Sequence, residues 1–407
     1  MANLKLKIKY IIDILTNTSN ELDKNLQEVQ EEINFNTLIT KTLYRKLTND
    51  LEILSKSKEF NYDFFSSIPK NNFLVSRDIK TLDIFKSFIG RLKRSEEINR
   101  NFECERSILE LTNVTDIIFN LFTLNGHGNV VRCLMELRDG RIASGSSDKT
   151  IKIWDPKDNY KCTHTLNLHT YRVWTIIELD DGQLASGSRD NTIRIWNPRD
   201  NFNCTHILKG HSDDVFCLIQ IKDKNASLVS SSRDKTIKIW NPRDNFNCTH
   251  TLIGHSYGVR SIIQMKNGYI ASGSGDKTIK IWDPLENFEC IYTILGHSNS
   301  VYCLIQLQNG LLASGSRDFS IKIWDPENNY ICIHTINVKS TVYSLIQQEE
   351  DGKIVSGSDD GTIKFWDEDY NCTLTLKAHN DSIFSLIQLK EGRLGSASSD
   401  KTIKIWS

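Results

Sequence analysis

Ser144-Gly-Ser-Ser-Asp148-Lys-Thr-Ile-Lys-Ile-Trp154-Asp155 is the stretch on which the fold turns, and it returns six more times along the chain. The tryptophans fall at Trp154, Trp196, Trp240, Trp282, Trp324, Trp366 and Trp406, at intervals of 42, 44, 42, 42, 42 and 40 residues. Each follows an aspartate by six positions: Asp148, Asp190, Asp234, Asp276, Asp318, Asp360 and Asp400. Each aspartate follows a serine by four: Ser144, Ser186, Ser230, Ser272, Ser314, Ser356 and Ser396. A period of this length marks a propeller, a solenoid or an array.

One unit decides among these. Between residues 297 and 335, four short runs read as strands: Val301–Ile305, Leu311–Gly315, Ser320–Trp324 and Tyr330–Thr335. They are rich in β-branched and aromatic residues and are split at Asn309-Gly310, Arg317-Asp318 and Asp325-Pro326. One four-stranded sheet is too small to stand alone. Seven arranged radially bury both faces of each sheet against neighbours. The expected fold is all-β, a seven-bladed propeller.

The chain here resembles the WD-repeat (WD40) β-propellers over about residues 113 to 407. The resemblance rests on Gly126-His127, Gly210-His211, Gly254-His255 and Gly296-His297, and on Trp154-Asp155, Trp282-Asp283, Trp324-Asp325 and Trp366-Asp367. The seventh unit reaches Trp406 without a fourth strand, while residues 117 to 124 align with a fourth strand such as the one at Cys162. That segment is therefore expected to complete the last blade and close the ring, removing exposed sheet edges.

Composition narrows the function classes. The net charge is −1, which gives no general attraction to nucleic acid or membrane. Most of the ten cysteines recur at one repeat position, which reads as packing and not as a disulfide framework. No signal peptide and no apolar span of membrane length is read, so the expected location is the cytoplasm or nucleus.

Residues 1 to 112 differ in kind. Leu22, Leu26, Val29 and Ile33, followed by Leu43, Leu47 and Leu54, set out a short coiled-coil-like seam. Leu82, Phe85, Ile89 and Leu92 outline another amphipathic helix. The expectation is an α-helical arm that caps the chain or makes a homodimer. The dimer would be a structural or signalling scaffold, similar to heterotrimeric G-protein β subunits in layout.

Three constellations invite a chemical reading. The first is Ser, His and Asp in nearly every repeat, with histidines at His127, His169, His211, His255, His297 and His379. Repetition argues against catalysis, since an enzyme needs one pocket and one nucleophile geometry. The family resemblance implies a buried network instead, with Asp holding His, His bonding Ser, and Ser meeting the indole N–H. Repeat six departs from it, with Lys339 where histidine is expected. That blade is expected to lack the network and to be more mobile. The second constellation is Cys-X-His at Cys162/His164, Cys204/His206, Cys248/His250 and Cys332/His334. Each pair shares a strand face, yet zinc wants four ligands, so packing is the expectation.

The third constellation is where binding is expected. By resemblance, the residue before the turn aspartate and the residue after the first strand's leading Val or Ile face the narrow end of the ring. The first set is Ser147, Arg189, Arg233, Gly275, Arg317, Asp359 and Ser399; the second is Arg132, Trp174, Phe216, Arg260, Tyr302, Tyr343 and Phe384. Arginine and aromatics are the residue types enriched at binding hot spots. Arg132, Arg189, Arg233, Arg260 and Arg317 come one per blade from five successive blades, and arginine matches phosphate or carboxylate in a two-pronged hydrogen bond. The pattern is similar to the phosphopeptide-reading propellers of F-box WD-repeat ubiquitin-ligase receptors, although no F-box is read here. The expected function is a non-enzymatic interaction scaffold or substrate receptor for acidic or phosphorylated peptide segments. No metal, cofactor or catalytic residue is assigned.

Overall fold

The computed structural model describes residues 120–406. The helical arm and seam expected over residues 1 to 112, and residues 117–119 of the expected closing strand, lie outside the described residues.

Among the described residues, twenty-eight strands, β1 to β28 in chain order, form seven four-stranded sheets. The first blade shows the local logic. It comprises β2 (Val131–Glu136), β3 (Ile142–Ser146), β4 (Ile151–Asp155) and β5 (Lys161–Leu166). After β4, Pro156 opens a short 3-10 turn whose first N–H groups are capped by the Asp155 carboxylate, which accepts from Lys157 N at 2.9 Å. Asn159 and Tyr160 then adopt left-handed φ angles of 49° and 56°, reversing the chain into β5. In the unit read above, the strands are Val301–Gln306, Leu312–Ser316, Ser320–Asp325 and Ile331–Asn337, each within two residues of its expected bounds.

The second strand of each blade is buried along its whole length, because both its faces meet neighbouring sheets. Close approach is the reason for glycine there. A Cβ on Gly315 would fall 2.6 Å from both Cys303 Sγ and Val342 Cγ1, the latter on the next blade. The core is accordingly a series of inter-blade clusters. One joins Ile321, Ile323 and Trp366 across the fifth and sixth blades.

The ring closes on itself. Beside β26 (Ile383–Gln388) and β27 (Leu394–Ser398), β28 (Ile403–Trp406) pairs with β1 (Asn120–Leu124), so the last sheet has the order β1-β28-β27-β26. At one end, the side chain closing each inner strand accepts a hydrogen bond from the preceding blade's backbone. The bonds start at Arg138 N to Glu178 Oε2 and finish at Lys390 N to Glu136 Oε2. Asp180–Gln220, Lys222–Gln264, Lys266–Gln306, Gln308–Gln347 and Glu349–Gln388 complete the circuit, all seven at 2.7 to 3.0 Å.

Candidate binding site at the mouth of the ring

The Ser, His and Asp constellation is interior. In six blades Nδ1 of His127, His169, His211, His255, His297 and His379 meets Asp148, Asp190, Asp234, Asp276, Asp318 and Asp400 at 2.7 to 2.8 Å. Nε2 meets Ser144, Ser186, Ser230, Ser272, Ser314 and Ser396 at 2.7 to 2.8 Å. Each serine Oγ also accepts the indole N–H of Trp154, Trp196, Trp240, Trp282, Trp324 or Trp406 at 2.8 Å. With Nδ1–H given to the carboxylate, Nε2 takes the serine proton, so the network fixes one tautomer.

Burial alone would raise these aspartates. Hydrogen bonds from histidine and from Thr or Ser, with the nearby His, outweigh it and hold all six well below the usual carboxylate range. Burial also lowers His169 and His379, more than Asp190 and Asp400 raise them. Both shifts are depressions, so both contribute stability that is present above the unfolded pKa and lost on acidification. The melting temperature should therefore begin to fall below about pH 6.5, where unfolded histidine takes up protons, and fall steeply below about pH 4 as the unfolded aspartates do. Differential scanning fluorimetry from pH 8 to 3 reads this; a melting temperature flat to pH 4 would contradict it.

The sixth blade is built differently. Trp366 still donates to Ser356 Oγ, at 2.9 Å. Lys339, in place of histidine, is exposed at φ 67°. The loop is one residue shorter, with Lys339 three positions before Val342 where His297 stands four before Val301. Val338 is buried in the core instead. Lys364 Nζ bonds Val338 O at 3.0 Å and lies 3.7 Å from Asp360. Asp360 N donates to Ser340 Oγ, leaving Ser358 Oγ without a partner.

The Cys-X-His pairs lie on outer strands. Cys162 Sγ donates to His164 O at 3.4 Å, and the rings turn to the next blade. His164, His206 and His250 stack on Phe202, Phe246 and Phe288 at 4.8, 5.2 and 4.9 Å. These aromatics sit in left-handed conformation after an asparagine, and the stacking offsets that strain. Among the described residues no group of three metal-ligating side chains forms.

Both arginine and aromatic sets come to the other end of the ring. Each first-set residue donates its backbone N–H to the residue just before an inner strand, as Arg189 does to Arg172 O and Arg233 to Asp214 O. Each second-set residue sits at a β-bulge, skipped in the pairing of the first two strands in all seven blades. A bulge re-aims the side chain it carries. Here it produces a closed circuit. Arg132 lies 4.7 Å from the Trp174 ring, Trp174 5.3 Å from Phe216, and Phe216 4.1 Å from the Arg260 guanidinium. Arg260 lies 5.3 Å from Tyr302, which meets Tyr343 at 4.9 Å; Tyr343 meets Phe384 at 4.8 Å and Phe384 meets Arg132 at 4.1 Å. Seven side chains from seven blades touching in sequence must surround the axis.

The five arginines do not form one uniform arc. Arg132 and Arg260 are each held between two aromatic rings, a cation–π arrangement. Burial, then the charges of Arg172 and Arg260, bring Arg132 down to about 10, still charged at neutral pH. Arg189 and Arg233 lie 3.8 and 3.7 Å from Asp214 and Asp213, outside hydrogen-bonding distance. Burial first, then Asp213, raises Asp214. Arg317 is exposed, as are Arg189 and Arg233. On the far side, Tyr343 OH donates to Asp359 Oδ1 at 3.2 Å. Two buried donors in the circuit have no acceptor: Trp174 Nε1 and Arg260 Nε. The indole N–H of Trp174 acts on the Asp214 charge but makes no hydrogen bond to it by geometry.

Three contributors escaped the sequence reading. Arg172 lies 5.8 Å from the Trp174 ring. Tyr171 and Tyr257 are about half exposed, and a Cβ on Gly275 would sit 2.3 Å from Tyr257 Cδ1, so the glycine makes room for the ring. For the two tyrosines a signal was available: Tyr171, Asp213, Tyr257 and Asp381 all stand two residues before a leading Val or Ile.

The WD domain, G-beta repeat family matches the chain seven times, at residues 119–155, 160–197, 202–241, 246–283, 288–325, 330–367 and 370–407. No curated protein matches it.

Proposed function

The chain belongs to the WD-repeat family, whose propellers are in general non-enzymatic protein–protein interaction scaffolds, and from this premise we propose that its mouth captures an acidic or phosphorylated peptide segment. The observation that carries the proposal is the pair of buried, unpartnered donors, Trp174 Nε1 and Arg260 Nε, in a circuit whose only cations are guanidiniums. Donors without acceptors call for a ligand rich in oxygen. Stacking covers the faces of Arg132 and Arg260, so what remains for a ligand is the in-plane N–H edge, the geometry that grips phosphate or carboxylate. Arg172, Arg189, Arg233 and Arg317 add positive potential around it, and Tyr171, Tyr257 and Phe319, each about half exposed, offer apolar contact to flanking residues.

The exposed arginines allow a test without disturbing the packed ones. The triple variant Arg189→Gln, Arg233→Gln, Arg317→Gln, which removes charge without setting a carboxylate beside Asp213 and Asp214, should bind an array of acidic and phosphorylated peptides at least tenfold more weakly than the unaltered chain, with little change in melting temperature. Capture by the unaltered chain should also weaken between low and moderate salt. Equal capture by the triple variant would remove the proposal.

A further inference from the structure

Of the residues that stand immediately before the seven inner strands, Asp214 is the one acid and Arg172 the one base. The Asp214 side chain is 5 % exposed, while that of Asp213 beside it is 44 % exposed, so it is Asp214 whose charge has lost its water. Its backbone is engaged in the turn: Asp214 N donates to Asp213 Oδ1 at 2.8 Å, and Asp214 O accepts from Arg233 N at 2.8 Å. Among the described residues, its carboxylate accepts no hydrogen bond. Arg189 Nε stands off at 3.8 Å, and the Trp174 indole N–H acts on the charge without the geometry of a bond. Enclosed carboxylates ordinarily find donors among their neighbours.

Two donors and an acceptor therefore stand open together on this side of the mouth. Trp174 Nε1 and Arg260 Nε are buried and unpartnered, and the Asp214 charge acts on Arg260 as the Trp174 indole acts on Asp214. The other charges that face the carboxylate are Arg189 of the second blade and Asp213 and Arg233 of its own. An oxyanion that accepts from Trp174 Nε1 is thereby set against the Asp214 carboxylate. Two anionic oxygens in contact repel each other unless a proton lies between them. Burial first, then Asp213, already raises Asp214, against the pull of Arg189, Arg233 and Trp174, and a bound anion adds to the rise.

Resting on the reading that the mouth captures an acidic or phosphorylated segment, we infer that Asp214 is its specificity residue and selects a phosphate monoester, which binds with one proton held between the Asp214 carboxylate and a phosphate oxygen. The remaining phosphate oxygens accept from Trp174 Nε1 and Arg260 Nε. The proton comes from the phosphate where that is still protonated, and from solvent where it is not. A phosphate monoester keeps its last proton to about pH 6, so near neutrality it is the anion able to share one. A side-chain carboxylate gives up its proton near about pH 4. A sulfate ester, of the same shape as the phosphate, has none to share. Both are therefore left facing an uncompensated Asp214 charge.

The full chain is titrated calorimetrically with phenyl phosphate and with phenyl sulfate, from about pH 6.5 to 8.5, in buffers of different ionisation enthalpy. Phenyl phosphate should bind with uptake of about one proton, and its affinity should fall about tenfold between pH 7 and 8.5. Phenyl sulfate should bind at least about tenfold more weakly at pH 7, without that pH dependence. Attraction to the arginines alone has the opposite sign, because the dianion that forms above about pH 6 would bind more tightly and then level off. Asp214→Asn, whose amide can donate to either anion, should bring the two affinities within about threefold and abolish the proton uptake. Phosphate binding without proton uptake in the unaltered chain would overturn the inference whether or not the variant folds, and would leave the acidic-peptide reading standing. An undiminished preference for phosphate in Asp214→Asn would overturn it equally. Absence of binding by both anions at millimolar concentration would also overturn it, and capture on the peptide array then decides separately on the reading beneath.

Discussion

A chain beginning at residue 125 should melt roughly 10 °C below one beginning at residue 120, and should aggregate on heating where the longer one does not. The five residues Asn120–Leu124 are a single strand, but they are the strand that joins the last blade's edge to the front of the ring. Leu124 is buried with Ile403, Ile405 and Trp154, and the Phe122 ring lies 4.8 Å from Tyr160 of the first blade. Exposing the leucine costs about 2 kcal/mol, losing the aromatic pair about 1 kcal/mol, and each ladder bond about 1 kcal/mol more. The larger consequence is β28, left as an open edge of alternating apolar residues, ready to pair with another chain. Leu124→Asp in the full-length chain tests the same closure by placing an unpaired carboxylate in that cluster. Differential scanning calorimetry with light scattering reads both; coincident melting of the two truncated chains would show that the ring needs no clasp.

His297→Ala should cost roughly 3–5 kcal/mol, whereas Lys339→Ala, at the equivalent position one blade on, should cost less than about 0.5 kcal/mol. His297 is enclosed and joins Asp318 to Ser314. Its removal leaves a carboxylate that is 7 % exposed without its main partner, together with a serine hydroxyl that has lost the Nε2 acceptor of its proton. Lys339 faces solvent, and the side chain this loop buries is that of Val338 instead. Reversion alone should therefore fail: Lys339→His cannot rebuild the network in a loop one residue short, and its melting temperature should not rise. Urea unfolding of the four chains separates these outcomes. A costly Lys339→Ala would mean that Lys364 does not substitute for the missing ring.

The fold was legible because its determinants are local and repeated. Ser, Asp and Trp at fixed offsets report one hydrogen-bonded unit, and seven copies average out any irregular letter. The sixth blade shows the limit of that averaging. Lys339 announced a missing histidine and the spacing to Val342 a loop one residue short, but the inward turn of Val338 and the recruitment of Lys364 are visible only in the packing. The mouth was half legible. Second-set positions such as Trp174 and Phe384 stand in register, so their convergence could be anticipated. The placing of Arg132 between two rings depends on which neighbouring blade a flexible side chain leans toward, and repeat spacing carries no information about that. The outer clasp of His164 on Phe202 went unread for the same reason, since it joins residues of adjacent units with no common motif.

The most direct measurement is a crystal structure of the full chain bound to a phosphoserine-containing peptide selected from the array. The account predicts the phosphate within hydrogen-bonding distance of the Arg260 guanidinium or Trp174 Nε1, and peptide side chains against Tyr171 or Tyr257. A peptide seated on the outer strands, or at the end marked by Glu136 and Gln388, would contradict it.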